Sequence, residues 1–127
     1  MAGKTPQETM QQLIAAFNAG DVDQALTLYH PDATFVSDPG TSASGKPAIR
    51  AALAAFLASR PTLTIDRQDT IEAGDVALHC TQWLLCLSGP GGEVARKRGK
   101  GAVVLRRQPD GVWLIAVENP WGTDLVR

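Results

Sequence analysis

The sequence predicts an α+β domain, three N-terminal helices followed by a long-stranded antiparallel sheet, and three observations carry the prediction. Apolar residues recur at helical spacing up to residue 58 and change to strand-like runs from residue 63. The joints between those runs are short and built from turn formers, which forces antiparallel neighbours. No repeat or linker divides the 127 residues, so residues 1–127 read as one domain.

The first helix opens on Thr5-Pro6-Gln7-Glu8, which offers a capping hydroxyl, a proline at the first helical position and a glutamate that reaches back. Met10, Leu13, Ile14 and Phe17 form its apolar stripe, and Gly20 supplies a left-handed stop. Asp21 caps a second helix, with Gln24 as its partner; Val22, Ala25, Leu26 and Tyr29 point inward and the helix ends before Pro31. Residues 32–36 read as a short strand entering a Gly-, Ser-, Thr- and Pro-rich loop over 37–45. Pro47 starts the third helix, 48–58, with Ile49, Leu53, Phe56 and Leu57 as its stripe and Arg60-Pro61 as its stop. Strands follow over 63–72, 76–87, 94–107 and 112–119, joined at Ala73-Gly74-Asp75, Gly89-Pro90-Gly91-Gly92 and Pro109-Asp110-Gly111. The strand over 76–87 is apolar at both parities: Val76, Leu78 and Leu84 on one face, Ala77, Trp83, Leu85 and Leu87 on the other. Helices can cover only one of those faces, and a second copy of the chain is the simplest cover for the other.

Composition excludes several function classes. Hydrophobic residues at 44% and charged residues at 20% describe a folded globular chain. A net charge of −1 lacks the basic footprint of a nucleic-acid binder. No apolar run approaches the ~20 residues of a membrane span, and the first residues lack the apolar core of a secretory signal. The expectation is a soluble, cytoplasmic protein with neither nucleic acid nor membrane as partner. Cys80 and Cys86 sit on one predicted strand, roughly 20 Å apart at ~3.3 Å per residue, too far for a disulfide; buried free thiols are expected. No phosphate loop, zinc-protease, nucleophile-elbow or dinucleotide motif appears, so neither a cofactor nor a metal is expected.

Three stretches carry a resemblance: Ala19-Gly20-Asp21, Leu28-Tyr29-His30-Pro31-Asp32-Ala33-Thr34-Phe35 and Gly111-Val112-Trp113-Leu114-Ile115. Their order and spacing resemble the nuclear transport factor 2-like superfamily, and within it the SnoaL-like, ketosteroid-isomerase-related bacterial proteins, over about residues 8–121. The resemblance implies a strongly curved antiparallel sheet wrapped around the three helices as a cone, a cystatin-like roll. It also implies an apolar pocket between sheet and helices, and a homodimer through the sheet's outer face. The related isomerases place a base aspartate in an Asp-Pro pair after the first strand, here Asp38-Pro39. The stretch from Asp32 to Asp38 is one residue longer than theirs, which reverses the face of Asp38 unless a bulge absorbs it. Their two oxyanion donors fall near Leu13 and Val103, neither of which can donate a hydrogen bond, and this speaks against steroid isomerase activity itself.

Asp38, His79 and Glu118 are the candidate catalytic residues. Asp38 would be a base if Leu13, Phe35 and Phe56 desolvate it; otherwise it opens a turn with Pro39-Gly40. His79 shares a parity with Trp83, as a polar handle and an aromatic wall of the pocket, or is a hydrogen-bonded core or dimer-contact residue. His30, before Pro31, reads as a cap at a helix end. Arg98 or Lys100, in the basic run Arg96-Lys97-Arg98-Gly99-Lys100, would pair with a ligand carboxylate or phosphate, or else guard a strand end. Trp121 caps the pocket mouth with Glu118 facing inward as a second acid; alternatively Trp121 packs over the helices and Glu118 pairs with an arginine. Tyr29, Phe35, Phe56 and Trp83 complete the candidate ligand-binding set. The expected function is proton transfer on a small apolar carbonyl or polyketide-like compound, of isomerase, cyclase or dehydratase type. The alternative is a non-catalytic ligand-binding or dimerisation module.

Overall fold

In the computed structural model, which describes residues 2–89, 91–92 and 94–126, helix α1 (Pro6–Ala19) begins where the Thr5 hydroxyl accepts a hydrogen bond from the Glu8 N–H at 3.1 Å. The Glu8 carboxylate reaches back one residue further than the expected box, accepting from the Lys4 N–H at 2.9 Å. Gly20, in the left-handed region at φ 68°, ends the helix. Asp21 then accepts from the Gln24 N–H and opens α2 (Val22–Leu26).

That helix is shorter than the apolar spacing predicts. Tyr29 is the first residue of β1 (Tyr29–Asp38), because the Leu28 carbonyl is taken by the Ile115 N–H at 2.9 Å. A backbone bond to a distant strand overrides local periodicity here. His30 accordingly lies within a strand and not at a helix end, and its Nδ1 accepts from the Asp32 N–H. The segment 37–45 is no open loop either: it folds back as β2 (Thr41–Ser44), antiparallel to β1, through a tight turn with Gly40 at φ 85°. Helix α3 (Lys46–Leu57) buries Ile49, Leu53 and Leu57, with Phe56 half-buried.

The second half forms β3 (Thr62–Ala73), β4 (Val76–Ser88), β5 (Val94–Arg107) and β6 (Trp113–Asn119), each antiparallel to the next. β6 pairs in parallel with β1, giving one curled six-stranded sheet in the order β2-β1-β6-β5-β4-β3. A short 3-10 turn, Gly122–Leu125, follows β6. Of the turn expected at Gly89-Pro90-Gly91-Gly92, Pro90 lies outside the described residues. No helix among the described residues is long and apolar enough to cross a membrane.

The concave face packs Ala77, Leu105, Trp113 and Ile115 against Leu13, Ile49 and Leu53 of the helices. Removing this much aliphatic and aromatic surface from water is what holds the helices in the curl. The parallel β1–β6 pair is irregular between Tyr29 and Thr34, and among the described residues three single residues interrupt the antiparallel pairs: Ser37 in β1, Asp66 in β3 and Ala116 in β6. Each is an extra residue on its strand, and each re-aims the side chains that follow. On the convex face Ile71, Leu78, Val104 and Val117 align in one row across four strands, with Ile71 61% exposed. Cys80 and Cys86 share that outward parity of β4. Cys80 is therefore exposed and Cys86 half-buried, both free, and not the buried thiols expected.

Candidate functional site

Between the concave sheet and helices α1 and α3 lies a cavity of about 230 Å³. Met10, Ile14 and Phe17 of α1 and Phe56 of α3 form its helical wall, and Phe17 meets Phe56 edge to face, ring centroids 5.9 Å apart. Phe35, Ile65, Trp83, Leu85 and Val103 form the strand wall. The two indoles are fixed by their N–H groups: Trp83 donates to the Pro120 carbonyl at 2.9 Å and Trp121 to the Val36 carbonyl at 3.2 Å. Trp83 lies across β5 only because Gly99 faces it; a Cβ at residue 99 would stand 2.6 Å from the indole Cε2. Glycine inside a strand marks such a close approach.

Few polar groups reach this wall: Ser37, Thr81, Lys97 and Glu118. Glu118 is placed by the extra residue at Ala116. Ile115 pairs with Leu105 and faces inward, Val117 pairs with Val104 and faces outward, and Glu118, opposite Val103, faces inward again. The carboxyl is buried, 6% exposed, and its Oε1 accepts a hydrogen bond from the hydroxyl of Tyr29, itself fully buried on β1. Burial raises the Glu118 pKa from 4.5 to about 7, against the lowering effect of the Tyr29 hydroxyl. Burial, and then the neighbouring carboxylate, push the Tyr29 phenol well above its usual range, so it stays protonated and donates.

The other expected site residues divide. Phe35, Phe56, Trp83 and Trp121 line the same cavity as Glu118. Tyr29 supports Glu118 from beneath and is not part of the lining. Asp38 does not reach the cavity: Ser37, two residues after Phe35 on the same parity, lines it, while Asp38 is exposed beside the β1–β2 turn. His79 is buried on the inward parity of β4, one strand beyond Val103, and borders an adjacent cleft instead. Arg98 and Lys100 stand on the convex face by strand alternation, where Arg98 pairs with Asp66 at 2.9 Å. The inward cation of the basic run is Lys97, whose Nζ sits 4.3 Å from the centroid of the Trp121 ring. Lys97, Ser37 and the Tyr29–Glu118 pair escaped the sequence reading. The alternating Gly99 and Gly101 on β5 were the available signal for a strand that large residues cross.

A curled sheet, antiparallel except for the β1–β6 pair and closed by helices over an apolar hollow, defines an α+β domain of the cystatin-like type. The comparisons agree on the fold. Residues 10–118 match the family of SnoaL-like domains, and the chain belongs to it. No curated protein matches the chain. Among solved structures it is similar to an NTF2-like family protein of Streptomyces avermitilis provisionally called a dehydratase, at 18% identity and TM-score 0.77, covering 87% of this chain and 88% of that one. A Novosphingobium aromaticivorans protein provisionally called an aromatic ring hydroxylase is similar at 22% identity and TM-score 0.76, covering 88% and 82%. An uncharacterised Caulobacter vibrioides protein with a cystatin-like fold is similar at 19% identity and TM-score 0.76, covering 88% and 82%. Identities this low carry the fold and no activity.

Proposed function

We propose that the protein takes a small, mostly apolar carbonyl compound, such as a polyketide-like molecule, into the cavity and moves a proton on it with Glu118. The observation that supports this most is a carboxyl with a pKa of about 7 in an otherwise apolar wall. A group half-protonated near neutral pH can take a proton from the carbon beside a carbonyl and return it to another atom of the same molecule. Tyr29 holds Oε1, so Oε2 is the oxygen that meets the ligand. Leu13 is buried in the core and Val103 is apolar wall, so enolate stabilisation falls to the donors Lys97, Thr81 and Ser37. Asp38 has no part in this reading. The provisional names of two similar structures, a dehydratase and an aromatic ring hydroxylase, also belong to small-molecule chemistry. A second reading, binding without turnover, is favoured by one observation: Val103 leaves an oxyanion position of the related isomerases without a donor.

The convex row Ile71, Leu78, Val104 and Val117 is covered in this reading by a second copy of the chain, forming a homodimer. The activity test is hydrogen exchange of 2-tetralone in D2O, followed by mass spectrometry. The protein accelerates exchange, more strongly as pH rises through about 7; Glu118→Gln loses at least roughly 100-fold of that rate and Asp38→Asn retains it. Exchange unchanged in Glu118→Gln refutes Glu118 as the base. Saturable binding without exchange selects the binding reading.

A further inference from the structure

Beside the main cavity, between α1 and strands β3 and β4, runs a second cleft of about 340 Å³. The two share Met10, Ile14, Leu63, Ile65 and Thr81, so they are adjoining compartments with a common wall. Their lining chemistry differs: the second cleft adds His79, Gln11, Thr64 and Gln68, while the first is apolar around Glu118. His79 is only 1% exposed, its Nδ1 lies 2.8 Å from the Thr70 hydroxyl, and its Nε2 has no hydrogen-bond partner among the described residues. A buried polar atom without a partner is uncommon, and on a residue that lines a cleft it marks a free hydrogen-bonding position next to that space. Burial lowers the His79 pKa against the raising effect of Asp69, so the ring is neutral and Nε2 either donates or accepts.

Pairing fixes where this nitrogen stands relative to the carboxyl. His79 pairs with Val103, and Val103 pairs with Glu118, all three facing inward. Two strand spacings set the two backbones about 10 Å apart. We propose that the cleft beside His79 is a second subsite of the same chamber, which takes the hydroxyl of an elongated two-ring molecule whose apolar body lies against Val103 and the carboxyl wall. A hydroxyl suits both tautomers: it accepts from Nε2–H when Thr70 donates to Nδ1, and donates to Nε2 when Nδ1–H donates to Thr70. The inference rests on the proposed cavity reading and narrows its substrate class to hydroxylated, elongated compounds.

The probes are biphenyl and biphenyl-4-ol, titrated calorimetrically into the wild type, His79→Phe and Glu118→Gln. The hydroxylated probe binds about tenfold tighter than biphenyl to the wild type and to Glu118→Gln, and the two bind equally to His79→Phe. Equal binding to the wild type overturns the subsite alone. Loss of the preference in Glu118→Gln, with its retention in His79→Phe, also overturns it, because the hydroxyl then meets the carboxyl. Binding of neither probe overturns the cavity reading and this inference with it. Should His79→Phe not fold, imidazole nitrogen NMR on the wild-type site decides. The chain has two histidines, so His30→Gln leaves one ring in the spectrum. The Nε2 resonance shifts with biphenyl-4-ol and not with biphenyl; an unmoved resonance refutes the subsite.

Discussion

Replacing Glu118 with glutamine removes one titration and nearly preserves shape, which makes the energetics of the site measurable. In the unfolded chain this carboxyl loses its proton near 4.5, and in the folded one near 7. Between those values the folded state holds a proton that the unfolded state has released, so acid favours folding. The stability is full below about 4.5, declines as pH rises to about 7, and is constant above. At about 1.4 kcal/mol per pH unit the displacement is worth roughly 3 kcal/mol. For a domain of this size that is on the order of 10 °C in Tm. His79 acts in the opposite sense, because its lowered pKa makes protonation in the unfolded chain destabilise the fold at low pH. The quantity to measure is therefore the difference between wild type and Glu118→Gln, in which His79 cancels. Urea denaturation at pH 5, 6, 7 and 8 should show the variant gaining roughly 2–3 kcal/mol on the wild type across that range, since part of the displacement lies below pH 5. A difference that stays flat from pH 5 to 8 would show that the carboxyl is not buried in an apolar wall, and the acid–base argument would fall with it.

Three further outcomes follow from the packing. Gly99→Ala drives a methyl into the Trp83 indole and should cost about 1–3 kcal/mol in denaturation, with weaker biphenyl binding; a neutral variant would mean the indole does not cross the strand there. The Thr9 hydroxyl accepts from the Gly3 N–H and donates to the Trp113 carbonyl, buried at both ends, so Thr9→Val should lose about 1–3 kcal/mol in the same assay. Leu78→Lys places a charge in the convex apolar row and should convert a dimer to a monomer in light scattering, with the fold intact by circular dichroism. A wild type that is already monomeric at high concentration refutes self-association through that face.

What the residues disclosed in advance were features with a local cause. The Thr5 and Asp21 caps, the Gly20 stop and the apolar stripe of α3 each depend on neighbours a few positions away, and each appears where the spacing puts it. The misreadings share a non-local cause. Tyr29 continues a helical period until β6 captures the backbone beside it. The Ser-, Gly- and Thr-rich stretch from 37 to 45 has weak strand preference, yet pairing with β1 makes a strand of it. Residue type told that the Arg96–Lys100 run alternates, but not which parity the curl would turn inward. For the site the same limit is sharper. Asp38 and Glu118 are both carboxylates at strand ends, and residue type does not tell that the first stays exposed at the β1–β2 turn while the extra residue at Ala116 carries the second to the cavity.

The extra residue at 116 has a consequence for how relatives are matched to this chain. Because it shifts the face of everything after it, a homologue lacking that insertion must carry its acid one place nearer the start of the strand to reach the same spot. Aligning by count from Trp113 would then set the acid against an outward aliphatic side chain and record its loss. Equivalence has to be judged by cross-strand neighbour, Val103 in this case, and gain or loss of one amino acid in a single strand becomes an evolutionary route for switching such a hollow between acidic and purely aliphatic linings.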